Sequence, residues 1–151
     1  IPMSILVNSR DEMHNLGREL GSKLGKGDIL LLNGSLGAGK TSLVQGIGEA
    51  MGIYGITSPT FVISRFHPAE TPLIHVDAYR LLDSAHRKFE FDDLDLDTSR
   101  EKAITVIEWG GALAPLLDSD FLQIRIDFGE GDDDRILTVT PHGLRWQGVK
   151  I

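Results

Sequence analysis

The run Gly34-Ser35-Leu36-Gly37-Ala38-Gly39-Lys40-Thr41 sets a lysine and a hydroxyl residue directly behind a glycine-rich loop, in the spacing G-x-x-x-x-G-K-T. A loop with few Cβ atoms can curl until successive backbone N–H groups point inward at an anion. A helix that begins at such a loop adds its own unpaired N–H groups and the positive end of its dipole. The chemistry this pattern serves is phosphate binding. Gly34, Leu36, Gly37, Ala38 and Gly39 supply the cradle, Lys40 bridges the β- and γ-phosphates of a nucleotide, Thr41 offers its hydroxyl to Mg²⁺, and Ser42 joins them as a binding position. A plain glycine-rich turn is the competing explanation, and the flanking elements decide between the two.

Hydrolysis needs a further carboxylate near the metal, ordinarily at the C-terminal end of a neighbouring buried strand. Glu108, closing the apolar run Ala103-Ile104-Thr105-Val106-Ile107, has that placement. Asp77 closes another apolar run and is the second candidate for aligning water or metal; spacing does not rank the two. Thr60, in Ser58-Pro59-Thr60-Phe61, follows the helix behind the loop, where nucleotide switches often supply a hydroxyl. A turn-forming Ser-Pro accounts for the same residues. His75 lies two positions before Asp77, so strand alternation puts both on one face, and packing or a supporting contact is the simpler role for it. A GTPase of the Ras type needs Asp-x-x-Gly and Asn-Lys-x-Asp strings; neither occurs, which leaves ATP as the expected nucleotide by elimination.

The elements that must hold these groups are legible in the hydrophobic pattern. Asp28-Ile29-Leu30-Leu31-Leu32 reads as a strand buried on both faces immediately before the loop. Leu43, Val44, Ile47 and Met51 trace one stripe of a helix from Thr41, stopped by Gly52. The loop therefore lies between strand and helix, the context that separates a phosphate site from a chance turn. Upstream, Ile5-Leu6-Val7 precedes a helix capped by Asn8 or Ser9, with Met13, Leu16, Leu20 and Leu24 on one face. Phe61-Val62-Ile63 and Leu73-Ile74-His75-Val76 predict two strands joined by a turn holding Pro68 and Pro72. Phe121 to Phe128 alternates apolar and polar residues, and a Gly/Asp turn returns it to Ile136-Leu137-Thr138-Val139-Thr140 as a hairpin. Asp92 to Asp97 is an acidic stretch best explained as a solvated loop or short helix, without the spacing of a calcium loop. The expected fold class is α/β: three layers, α/β/α, with a mainly parallel central sheet and an antiparallel C-terminal hairpin.

Composition sets the outer limits. The chain has 151 residues, 41% apolar and 25% charged, enough for one well-cored domain, expected over residues 3–151; Ile1 and Pro2 are set aside because Met3 is a natural start. A net charge of −7 and a pI of 5.1 leave no positive field for gripping nucleic acid directly. No cysteine is present, which excludes disulfides, thiolate metal sites and thiol nucleophiles and fits a reducing, cytoplasmic setting. No apolar run approaches the ~20 residues of a membrane span, so no membrane association is expected.

Four blocks taken together, Leu36-Gly37-Ala38-Gly39-Lys40-Thr41, Ser58-Pro59-Thr60-Phe61, His75-Val76-Asp77-Ala78-Tyr79-Arg80 and Ile107-Glu108-Trp109, resemble the TsaE (YjeE) family in their order and spacing. The resemblance implies an ATPase of tRNA N6-threonylcarbamoyladenosine (t6A) synthesis that acts with the TsaD and TsaB proteins and reaches tRNA through that complex. It further implies that ATP hydrolysis resets the synthase between turnovers rather than transferring the threonylcarbamoyl group. By position it assigns phosphates to Lys40 and the loop amides, Mg²⁺ to Thr41 and Glu108, catalytic or switch roles to Asp77 and Thr60, and a place beside the site to Trp109. Tyr79-Arg80 would serve partner contact or packing. Ser35 stands where the family usually carries an acidic residue, and Gly110 where it carries proline.

Two other classes use the same loop. A small-molecule kinase would transfer the phosphoryl group to an acceptor instead of water. A non-catalytic module would use ATP only to order a partner-binding surface.

Overall fold

The structure, a computed structural model, describes residues 3–35, 37–57, 64–77, 102–108 and 120–149. Its elements in chain order are β1 (Met3–Val7), α1 (Arg10–Lys23), β2 (Ile29–Gly34), α2 (Lys40–Ala50), β3 (Ser64–His67), β4 (Leu73–Asp77), β5 (Ile104–Glu108), β6 (Phe121–Phe128) and β7 (Arg135–His142), with a 3₁₀ turn at Leu144–Trp146.

Helix α1 starts where its capping chemistry dictates. The Ser9 hydroxyl accepts from the Glu12 N–H at 3.1 Å, and the Glu12 carboxylate accepts from the Asn8 N–H at 2.7 Å, a variant of the capping box in which the carboxylate reaches one residue beyond the cap. Ser9, rather than Asn8, is thus the cap. Helix α2 starts differently: its cap is Gly39, with φ of 108° and no side-chain hydrogen bond to the first turn.

The two helices meet almost backbone to backbone. A Cβ at Gly17 would collide with the Leu43 carbonyl, and one at Gly46 with the His14 carbonyl; at Gly21 it would stand 2.8 Å from the Ile47 carbonyl oxygen. His14 and Arg18 of α1 then close over Glu49 of α2, at 2.7 and 2.9 Å.

Seven strands form one mixed sheet in the order β1-β7-β6-β2-β5-β4-β3. The middle four, β6, β2, β5 and β4, are parallel, while β7, β1 and β3 pair antiparallel at the flanks. Leu30, Leu32, Val106, Leu122 and Ile124 join Met13, Leu20, Leu43, Val44 and Ile47 of the helices in one apolar core. Residues on the opposite face of the same strands, Ile29, Leu31, Val76 and Ile107, are equally buried, so β2, β4 and β5 are mainly apolar because neither face meets water. β6, by contrast, ends in exposed alternating positions. The expected C-terminal hairpin is present as β6 and β7, and β7 also carries β1 along its outer edge. Both described helices belong to one covering layer; a second helical layer is not found among the described residues. The expected strand Phe61-Val62-Ile63 and the acidic stretch Asp92–Asp97 lie outside those residues, and β3 begins just beyond, at Ser64. No helix of the described residues is long and apolar enough to cross a membrane.

The C-terminal turn is tied back to the base of the sheet. Arg145 grips the buried Asp28 carboxylate through two nitrogens, at 3.0 and 2.9 Å, donates to the Lys23 carbonyl at 3.1 Å, and stacks 4.4 Å from the Trp146 ring.

Candidate functional site

Parallel pairing sends β2, β5 and β4 out of the sheet at the same end, so their last residues face a common space. β2 delivers Gly34 and the loop there; β5 delivers Glu108, and β4 delivers Asp77. Register aligns Leu32 with Glu108 and Glu108 with Asp77. A cavity of about 290 Å³ opens at this point, lined by Gly37, Ala38, Gly39, Lys40, Thr41, Ser42, Asp77 and Glu108.

The loop has the conformation its glycines permit. Gly37 and Gly39 have φ of 82° and 108°, the left-handed region that disfavours a Cβ. At Gly37 the space a side chain would enter is open, whereas at Gly39 it is closed by Met13 Cε at 3.0 Å. Ala38 N–H turns back to the Ser35 carbonyl at 3.0 Å. Gly39 brings no side chain to cap α2 and no acidic residue occupies that helix's first turn, an arrangement that suits an external anion at the positive end of the helix dipole.

Lys40 is buried, and its ammonium donates to the carbonyl oxygens of Gly34 at 2.5 Å and Ser35 at 3.1 Å. Burial pushes its pKa below the ordinary lysine range, opposed by the nearby charges of Glu108 and then Asp77. Lys40 thus shares the cavity wall with the carboxylates of Glu108 and Asp77. The oxygen donors on the wall beside the loop include the Thr41 hydroxyl and the Glu108 and Asp77 carboxylates. Among the described residues no cluster of three or more His, Asp or Glu could hold a metal unaided. That set suits Mg²⁺, which takes one or two carboxylates and completes its shell with phosphate oxygens and water.

Behind Glu108 lies His75, fully buried, with its Nε2 hydrogen-bonded to Glu108 Oε2. The strand alternation that places His75 on the face of Asp77 also places it under Glu108.

Four lining residues carried no functional signal in the sequence pattern: Ser9, legible only as a helix cap, and Arg10 at the start of α1, and Asp133 and Arg135 from the β6–β7 hairpin. The hairpin is therefore a wall of the cavity as well as an edge of the sheet. Arg135 donates to the Asp132 and Asp134 carbonyls at 2.9 and 2.8 Å, reaches toward the Gly37 carbonyl at 3.4 Å, and lies 4.5 Å over the Phe128 ring. Only the 98-residue separation between Arg135 and Gly37 hid this contact. Leu36, Thr60, Tyr79, Arg80, Trp109 and Gly110 lie outside the described residues.

Comparison with known proteins supplies the rest. Residues 7–136 match the family described as threonylcarbamoyl adenosine biosynthesis protein TsaE. A Streptomyces coelicolor protein named tRNA threonylcarbamoyladenosine biosynthesis protein TsaE is 48% identical over 141 residues, covering 89% of this chain and 93% of its own. The Bacillus subtilis protein of that name is 39% identical over 124 residues, 80% of this chain and 74% of its own. The crystal structure of Bacillus subtilis YdiB superposes with a TM-score of 0.78 at 29% identity, covering 97% of this chain and 90% of the other. The chain belongs to the TsaE family, whose members are proteins of threonylcarbamoyladenosine biosynthesis in tRNA.

Proposed function

We propose, starting from that membership, that the protein is a Mg²⁺-dependent P-loop ATPase that serves t6A synthesis as an accessory to the TsaD and TsaB proteins. The observation that carries this reading is the alignment of Asp77 with Glu108 at the ends of adjacent parallel strands, on the cavity that Lys40 and Thr41 also line. A phosphate-binding loop alone serves binding, transfer and hydrolysis equally; what hydrolysis adds is a carboxylate near the metal and a group that orients water, and Glu108 and Asp77 are placed for those parts.

In this reading the α2 N-terminus and the loop amides hold the phosphates, and Lys40 neutralises charge between β and γ. Thr41 and Glu108 hold Mg²⁺, which when bound supplies positive charge to the phosphoryl oxygens. Asp77 orients the attacking water, and Thr60 serves as the catalytic or switch hydroxyl. Lys40 suits its part because it is already desolvated and fixed between two carbonyls, so little order is lost when phosphate arrives. The wider architecture, a three-layer P-loop NTPase domain, and a cytoplasmic setting belong to the same proposal.

The test is ATP turnover by the purified protein alone, then with TsaD, TsaB and tRNA. Turnover that rises in the presence of the partners and restores repeated t6A formation supports the proposal. Consumption of ATP that depends on a small hydroxyl or amine acceptor would identify a kinase instead, and binding without consumption in any mixture would identify a non-catalytic module.

A further inference from the structure

We infer that His75 is a positioning residue for Glu108: its ring fixes the carboxylate in the rotamer that presents one oxygen to the metal side of the cavity. The inference rests on the proposed role of Glu108 as a Mg²⁺ ligand.

The chemistry of the pair is one-directional. A carboxylate only accepts, so the proton of the bond to Glu108 Oε2 is carried by His75 Nε2. His75 Nδ1 has no hydrogen-bond partner among the described residues, which leaves that position to the ring's lone pair, since a buried unpartnered N–H is the costlier arrangement. With Oε2 committed to the ring, Oε1 is the oxygen Glu108 has left for the cavity that it lines.

Packing does not demand a histidine here. His75 is 0% exposed and registers with Val106, on the face that carries Leu73 and Leu30. An aliphatic residue would fill this place without burying polar nitrogens. What an aliphatic residue cannot do is hold Glu108, whose side chain has several rotamers and is itself only 3% exposed. Hydrogen bonds from behind are a general means of orienting metal-binding carboxylates, and their loss commonly weakens metal affinity about 10–100-fold.

The experiment compares the full chain with His75→Leu, His75→Gln and His75→Asn. A glutamine amide N–H reaches where Nε2 stands, and an asparagine amide falls short of it. For each variant ATP affinity is measured by equilibrium binding in EDTA and again across a Mg²⁺ titration, with thermal denaturation as a check on folding. We expect unchanged affinity in EDTA for all three. The Mg²⁺ concentration giving half of the metal-dependent gain should rise about 10–100-fold in the Leu and Asn variants and stay within about threefold of wild type in the Gln variant. If the Leu variant does not fold, the Gln and Asn pair decides on its own. An unchanged Mg²⁺ requirement in Leu or Asn, or equal loss in Gln and Asn, would overturn the positioning role. Glu108→Gln separates the two layers of argument: were it also to leave the Mg²⁺ requirement untouched, the metal assignment would fall, and the role of His75 with it.

Discussion

Asp77 and Glu108 are register partners at the C-terminal ends of two parallel strands, so their carboxylates leave the sheet side by side above the phosphate loop. With Glu108 holding the metal and Asp77 the water, their substitutions should differ. Glu108→Gln should lose turnover together with Mg²⁺-dependent nucleotide affinity. Asp77→Asn should keep that affinity and lose about 100-fold or more in turnover, the usual scale for a group that handles the nucleophile. Paired measurements of nucleotide binding and phosphate release check both. Full turnover in either variant would remove that residue from the catalytic assignment.

Lys40→Ala should weaken ATP binding by about tenfold to 100-fold or more while leaving the melting temperature of the nucleotide-free protein nearly unchanged. The lost interaction is a charge-assisted one to phosphate, worth about 1.5–3 kcal/mol. In the free protein, removal of an ammonium that burial disfavours offsets the loss of its bonds to Gly34 and Ser35. Calorimetric titration and thermal denaturation read the two effects separately.

The junction of α1 and α2 offers a test free of the chemistry. Gly46→Ala forces a methyl group into the His14 carbonyl, and overpacking of this kind costs about 1–3 kcal/mol. Chemical denaturation should show a lower midpoint. An alanine tolerated without cost would mean that the helices lie farther apart than described.

Glu49 supplies the pH dependence. Its hydrogen bond to His14, and after it the bond to Arg18, hold the carboxyl below the usual carboxylate range despite some opposing desolvation. A carboxylate depressed in the folded state stabilises it above the unfolded pKa, and that contribution disappears as pH falls through the folded pKa. Glu49→Gln should therefore be the less stable protein at neutral pH, and its denaturation curve should converge with wild type as acid protonates the carboxyl. A gap that persists into acid would show that packing, and not the charge, is what the glutamate contributes.

Arg145→Ala should destabilise by about 1.5–3 kcal/mol, because the Asp28 carboxylate it leaves behind is buried with, among the described residues, only the Gly25 N–H to satisfy it. Thermal denaturation should show a drop of several degrees, with ATP affinity unaffected since this pair lies at the opposite end of β2 from the loop.

How much of this was legible before folding follows from the range of each interaction. The loop and its helix are local: Gly39, Lys40 and the stripe Leu43, Val44 and Ile47 lie within a few residues, so pattern and placement were readable together. The apolar runs ending at Asp77 and Glu108 announced two buried strands with acidic ends. That these strands are neighbours is a property of strand order, which no local pattern encodes. The same holds for Arg135 and Asp133, which read as the end of a solvated hairpin until topology carries the hairpin tip to Gly37. His75 was half legible, since alternation gave its face while its partner on β5 required the register. Arg145 gave no sign at all, because a lone arginine near a chain end looks the same whether it meets water or a buried aspartate.

The glycine contact between α1 and α2 has a mechanical consequence. Where side chains separate two helices, a rotamer change can absorb a slide of one along the other. Gly17 and Gly46 remove that cushion and set carbonyl against Cα, where repulsion climbs steeply with distance. The tight seam leaves little slack between the two helices, and both N-termini, at Arg10 and Lys40, open on one cavity. The glycine contacts therefore set the spacing between the two helix starts that line it.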